Sequence, residues 1–280
     1  MRRFIEFFTY AAIIIIVIVR YAGEEDNRSP RRAAPPKVPA QTLPDNQKLP
    51  INNGGDVLVN LDTKLSNSVG TAFAVDAKGT YVTARHVVDG CTRIYIAHQS
   101  GRFSAVQKVT IDQRRDFAVL KSNRVKARSV YLASIAPDRG DDGYMMGYPQ
   151  GNPADVRATV IGRNNMRSSG RYNTREPVIA WVERERLPFF NGALGGISGG
   201  PVFDGNGIVV GTVVAGAPRR GRVYTTHPRV FLNDDLGSEI HFREGLETWR
   251  TINAANYADI GKELRGAKTI TQVYCQVTKS

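Results

Sequence analysis

Cysteine is scarce in this chain: Cys91 and Cys275 are the only two in 280 residues. Two cannot build the disulfide framework of a small secreted domain, and their spacing fits no metal motif. Either they form one bridge from the C-terminus to the region after His86, which would imply an oxidising compartment, or they are two unrelated buried thiols. The sequence leaves both readings open. No segment repeats at a fixed period, which excludes solenoids and repeat arrays. The net charge is +12, yet no zinc-knuckle, RNA-recognition or helix-turn-helix signature accompanies it, so no nucleic-acid partner is expected. The first fifty residues hold eight Lys/Arg against five acids, so most of the excess lies further along. A basic surface of this kind suits anionic lipid or acidic partners without defining a function. Nothing points to a metal or organic cofactor.

A long spanning run is also missing. Phe7–Val19 is apolar apart from Thr9, short of the ~20 residues of a usual transmembrane helix, although Phe4, Ile5 and Tyr21–Gly23 extend it. No A-x-A site closes the run and Arg20 abuts it, so residues 1–23 are expected to be a retained signal anchor rather than a cleaved signal peptide. Arg2 and Arg3 favour a cytoplasmic N-terminus, while Arg20, Arg28, Arg31 and Arg32 on the other flank oppose it. The possible bridge tips the expectation toward an exported domain. Residues 24–50 contain six of the fourteen prolines and few large apolar side chains, so they read as an extended tether.

Residues 51–280 are expected to form the folded domain, with an extension from about 237 to the end. Glycine and β-branched residues favour strands and tight turns. Asp56–Leu61 alternates. Ser68–Val75 and Thr80–Thr83 flank the turn Asp76-Ala77-Lys78-Gly79, a hairpin pattern. Further strands are expected at Arg93–Ala97, Phe117–Lys121, Tyr144–Gly147, Val156–Ile161, Val178–Val182, Gly200–Phe203, Ile208–Val214, Arg222–Thr226 and Thr269–Val277. Many short strands predict an all-β sandwich or barrels. Glu239–Thr251 and Asn256–Leu264 look helical. The stretch Arg163–Arg175 carries Arg163, Arg167, Arg171 and Arg175 and reads as a solvated loop, with an acidic docking partner as the minor alternative.

Three motifs carry chemistry. Gly195-Gly196-Ile197-Ser198-Gly199-Gly200-Pro201 puts a hydroxyl on a tight turn among glycines, which let the backbone bend and a carbonyl approach. Thr83-Ala84-Arg85-His86-Val87-Val88 ends an apolar hairpin with a histidine, whereas His98, His227 and His241 do not. Asp116-Phe117-Ala118-Val119-Leu120 heads a buried strand with an acid, unlike Asp89 and Asp112. A glycine-rich hairpin, a structural histidine and a turn-capping acid are the bland alternatives. Their order, His, Asp, Ser, is one of the known triad orders.

These blocks resemble the chymotrypsin-fold serine proteases, and among them the bacterial HtrA-type and related exported trypsin-like peptidases. Gly70-Thr71-Ala72-Phe73-Ala74-Val75 leading to His86, Asp116 through Lys121, and Gly196 through Pro201 are similar to the family's histidine, aspartate and serine blocks. Met146-Gly147-Tyr148-Pro149-Gln150-Gly151 is similar to an HtrA-type turn. The resemblance covers about Asn60–Arg229. It implies two six-stranded antiparallel β-barrels with the site between them, and a serine endopeptidase acting on protein or peptide substrates. Ser198 would be nucleophile, His86 general base and Asp116 orienting acid, with the N–H groups of Gly196 and Ser198 as oxyanion hole. Phe190, Asn191 and Gly192 would lie near the base of the primary pocket, with Val214, Ala215 and Gly216 on its wall. No acid stands at that base, so a small or medium apolar side chain is expected there.

The departures matter too. Ile197 replaces the acid that in digestive members pairs with a newly cut N-terminus, so activation by such a cut is not expected. Val214 stands where a family serine supports the aspartate, so Asp116 needs other partners. About fifty residues follow Arg229, too few for a PDZ domain. The competing readings are a catalytically silent barrel serving as scaffold at the membrane, and a basic adaptor for anionic polymer.

Overall fold

The computed structural model describes residues 55–98, 101–125, 127–217, 220–232 and 250–278. The expected anchor, the tether and nearly all of the helix expected over Glu239–Thr251 lie outside them. Among the described residues no helix is long and apolar enough to cross a membrane.

In chain order the strands are β1 (Val57–Leu61), β2 (Ser68–Ala74), β3 (Thr80–Thr83), β4 (Arg93–Ala97) and β5 (Phe103–Ala105). There follow β6 (Lys108–Ile111), β7 (Ala118–Lys121), β8 (Tyr131–Leu132), β9 (Asp142–Gly147) and β10 (Ala154–Gly170). The last are β11 (Thr174–Leu187), β12 (Pro201–Phe203), β13 (Ile208–Ala217), β14 (Arg222–Thr226) and β15 (Ile270–Gln276). The β2–β3 turn is set by Asp76, whose carboxylate accepts the N–H groups of Lys78 and Thr80 at 2.8 Å each, an Asx-type turn.

The strands form two sheets. In the second, β9, β10, β11, β14, β13 and β12 pair antiparallel in sequence, and β12 returns to β9, closing a six-stranded ring. Parallel β1 adds to β10 and parallel β8 to β13. The first sheet has seven strands in the order β5-β4-β15-β2-β3-β7-β6. The C-terminal part is thus no appendage: β15 lies between β2 and β4 and supplies a seventh strand where six were expected. Its alternation explains this, since Thr271, Val273 and Cys275 are buried on one face while Ile270 is buried on the other, so the strand belongs inside the sheet.

The Arg163–Arg175 stretch is not a loop but the outer part of a long β10–β11 hairpin. Met166, Ser168, Tyr172, Thr174 and Glu176 are buried while Arg167 and Arg175 are exposed, so the charges mark one face of strands with period two. Exposed Arg167 and Arg175 both reach Asp56 beside β1.

One apolar cluster joins the halves, with Phe73 and Phe117 from the first sheet, Met146 and Phe203 from the second, and Phe231, just past β14, packing edge-on against Phe73 and Phe117. Helix α2 (Tyr257–Gly266; α1 is the single turn described below) covers it with Tyr257, Ile260 and Leu264, a three-and-four spacing on one face. The α2 residue Arg265 makes a bidentate pair with buried Asp155 of β10, Nη2 to Oδ2 at 2.7 Å. The two sheets are thereby joined, and the sequence motifs meet along their junction.

Candidate active site

His86 lies in α1 (Arg85–Val88), a single helical turn directly after β3. A helix start leaves its first N–H groups without partners. That of His86 is taken by Asp116 Oδ1 at 2.8 Å, while His86 Nδ1 meets Asp116 Oδ2 at 2.7 Å. Asp116 stands just before β7, the neighbour of β3, so sheet register brings acid and imidazole together. Tyr172 donates its hydroxyl to Asp116 Oδ1 at 3.1 Å, and the Asp116 N–H donates to Glu176 Oε1 at 2.7 Å.

Both carboxyls are 2 % exposed, yet their environments part them. Burial pushes the Asp116 carboxyl up, but the His86 charge, the His86 hydrogen bonds and the Tyr172 hydroxyl outweigh it and hold it below the usual carboxylate range. Glu176 has only the Asp116 N–H and the Arg115 charge to lower it, and they are outweighed. Burial first, and then the Asp116 charge, push it up to about 8. Burial and the Asp116 charge also push the Tyr172 phenol up, so it remains a donor.

Ser198 is half-buried on the turn between Leu194 and Pro201. Its carbonyl accepts the Thr71 N–H at 2.8 Å, tying the turn to β2. Gly70 shows how close the segments come: a Cβ there would lie 2.5 Å from Val87 Cγ1 and 3.2 Å from Ser198 O. Gly199, at φ +85°, leaves no room for a Cβ against Thr71 O, Thr83 Oγ1 and, at 2.9 Å, Ala84 N. The serine turn therefore abuts the residues that precede His86. No hydrogen bond joins Ser198 Oγ to His86 among the described residues, and such pairs often tighten only around substrate.

Around Gly196 the peptide planes are fixed. Gly195 O accepts from Gln150 N–H at 2.5 Å, and Gly196 O accepts from Thr71 Oγ1 at 2.8 Å. Gly196 has φ +96°, with Tyr148 O where a Cβ would be. Among the described residues the N–H groups of Gly196 and Ser198 have no acceptor.

Ala215 and Gly216 line a cavity of about 660 Å³ whose other wall is β1 (Val57, Leu58 and Val59), and Phe190, Asn191 and Gly192 are not among its lining. Val214 is buried. Beside Phe190–Gly192 stands Arg186, not foreseen from the sequence. Its guanidinium lies 4.6 Å from the Phe190 ring centroid, donates to Gly192 O at 2.9 Å, and pairs with Glu183 at 2.7 Å. Cys91 and Cys275 are joined in a disulfide, their Cα atoms 5.4 Å apart, five residues beyond His86 in the chain. Tyr172, Glu176 and Arg186 all fall in β10–β11, and the signal that would have found Tyr172 and Glu176 is their period-two spacing within the charged stretch.

A family model described as a trypsin-like peptidase domain matches residues 70–211, spanning all three motifs. The chain belongs to this family. A magnetosome formation protease, MamE of Paramagnetospirillum magneticum, is 27% identical over 214 residues, 70% of this chain and 28% of that protein. A probable periplasmic serine endoprotease, DegP-like, of Bartonella henselae is 30% identical over 155 residues, 52% of this chain and 27% of that protein. The matched part is thus little more than a quarter of the length of either relative. The active form of the Rv3671c protease from M. tuberculosis shares the fold, at a TM-score of 0.50 and 18% identity over 68% of this chain and 92% of that one. The trypsin-like peptidase fold is therefore shown from sequence and structure alike, and its histidine and aspartate blocks sit in the first sheet and its serine block in the second.

Proposed function

We propose that this trypsin-like domain is a serine endopeptidase in which Ser198, His86 and Asp116 act as one site. The observation that carries the reading is the pairing of half-buried His86 with buried Asp116, at 2.7 Å, beside a glycine-flanked serine whose neighbouring N–H groups have no acceptor among the described residues. Ser198 Oγ attacks the scissile carbonyl carbon as its proton passes to His86 Nε2, and the carbonyl oxygen takes up negative charge. The N–H groups of Gly196 and Ser198 receive that charge, each donor contributing about 3–4 kcal/mol at the transition state. His86 then delivers the proton to the leaving amine as the C–N bond breaks, and water hydrolyses the acyl-serine by the same relay in reverse. Asp116 holds the Nδ1–H tautomer and stabilises the imidazolium.

An exported domain, anchored by residues 1–23 and held off the membrane by residues 24–50, fits both the Cys91–Cys275 bridge and relatives whose names place them in the periplasm. Protein or peptide substrates with a small or medium apolar side chain at the cleavage site fit a pocket region with no acid at Phe190–Gly192. One observation favours a silent scaffold instead, the missing Ser198–His86 bond. The two readings separate on labelling with a fluorophosphonate probe beside Ser198→Ala. Ser198-dependent labelling supports the peptidase. Folded protein that stays unlabelled favours the scaffold.

A further inference from the structure

The β10–β11 hairpin belongs to the second sheet, yet its tip touches both members of the acid–base pair carried by the first. Tyr172 OH reaches Asp116 Oδ1. Arg171 Nη1 donates to His86 O at 3.3 Å and to Asp89 O at 2.9 Å, and its Nε donates to Asp62 O at 3.3 Å. Two residues past the tip's far end, Glu176 accepts the Asp116 N–H. From the other side, the Arg85 guanidinium lies 3.8 Å over the Tyr172 ring.

These contacts divide the work on Asp116. Oδ1 receives two donors, the His86 N–H and the Tyr172 hydroxyl, which fixes the carboxylate plane and leaves Oδ2 for the imidazole. Arg171 meanwhile holds carbonyls of α1 and its C-terminal cap, where a cation is favoured. Val214, at the position where the resemblance would put a supporting serine, offers no hydroxyl, and Tyr172 brings one from the opposite sheet. We propose that Tyr172 and Arg171 are positioning residues that set the Asp116 carboxylate and the His86 turn, so that the acid–base pair is competent only with this hairpin seated against it. The inference rests on the triad reading above. It makes the docking of the two sheets, and not the first sheet alone, the condition for activity.

The test uses the full chain and the saturation kinetics of inactivation by a fluorophosphonate, which separate probe binding from the maximal rate of serine modification. Tyr172→Phe keeps the ring under Arg85 and removes only the hydroxyl. Its maximal rate is expected to fall about tenfold at a temperature where the variant is fully folded, the scale for one hydrogen bond to a charged group, with half-saturating concentration unchanged. Arg171→Gln, which leaves Tyr172 and Asp116 untouched, is expected to lower the maximal rate as well. Wild-type rates in both variants would overturn the proposal, as would a rate loss that merely follows a lowered melting temperature. Should the wild-type chain itself show no Ser198-dependent labelling, the triad reading fails first and takes this inference with it.

Discussion

Asp116 accepts three hydrogen bonds, two from His86 and one from Tyr172, at a carboxyl that water scarcely reaches. Glu176, bonded only to the Asp116 N–H among the described residues, is in the opposite position, and burial next to a carboxylate keeps it protonated. Its native pKa of about 8 stands above the ordinary 4.5, so between those values the folded chain holds a proton that the unfolded chain has released. Stability is therefore greatest at the acid end of that window and falls as pH rises through it, by at most about 1.4 kcal/mol per pH unit. The Asp116 contribution has the opposite sign and is lost only as pH drops below the usual carboxylate range. Glu176→Gln keeps a neutral acceptor for the Asp116 N–H. It is expected to flatten the denaturation free energy between about pH 5 and pH 8. An unchanged slope in the variant would show that Glu176 is ionised in the native state.

At the scale of elements, the serine turn works because two glycines allow contacts no other residue would. Gly199→Ala would push a methyl group into Thr71 O and Thr83 Oγ1 at a positive φ, where an alanine is strained as well as crowded. The expected loss is about 3 kcal/mol of folding stability by chemical denaturation, from overpacking and backbone strain together; a near-neutral change would mean that the turn can move away from β2–β3. Much of this level was legible in the sequence. β3, β4 and β14 fall on the expected residues, because their apolar runs are bounded by turn formers. β10 and β11 run well beyond the expected Val156–Ile161 and Val178–Val182, since their outer halves bury serine, threonine, tyrosine and glutamate between exposed charges. Apolar content does not register such strands, and Tyr172 and Glu176 were missed with them. The motif order pointed to His86, Asp116 and Ser198, but it carried no trace of what holds Asp116 in place, because those partners come from another sheet sixty residues on.

For the whole molecule, the decisive feature is that the chain's last strand returns to its first sheet. β15 pairs with β2 and β4, and the Cys91–Cys275 bridge fastens it across a sequence separation of 184 residues, just past the His86 turn. Closing so long a loop restricts the unfolded chain strongly. Replacing both cysteines by serine is expected to cost about 2–4 kcal/mol in a denaturant titration, and an equal loss on treating the parent chain with a thiol reductant would assign it to the bridge. No loss in either would mean that strand pairing alone secures β15. The central claim is that two sheets bring one nucleophile, one base and one acid to a single reacting centre. A crystal structure of the chain bound to a peptide boronate tests it most directly. The expected result is a covalent bond from Ser198 Oγ to boron, one boronate oxygen about 3 Å from the N–H groups of Gly196 and Ser198, and His86 Nε2 within hydrogen-bond reach. Boronate bound elsewhere, or an ordered Ser198 that stays unmodified at saturating inhibitor, would contradict it.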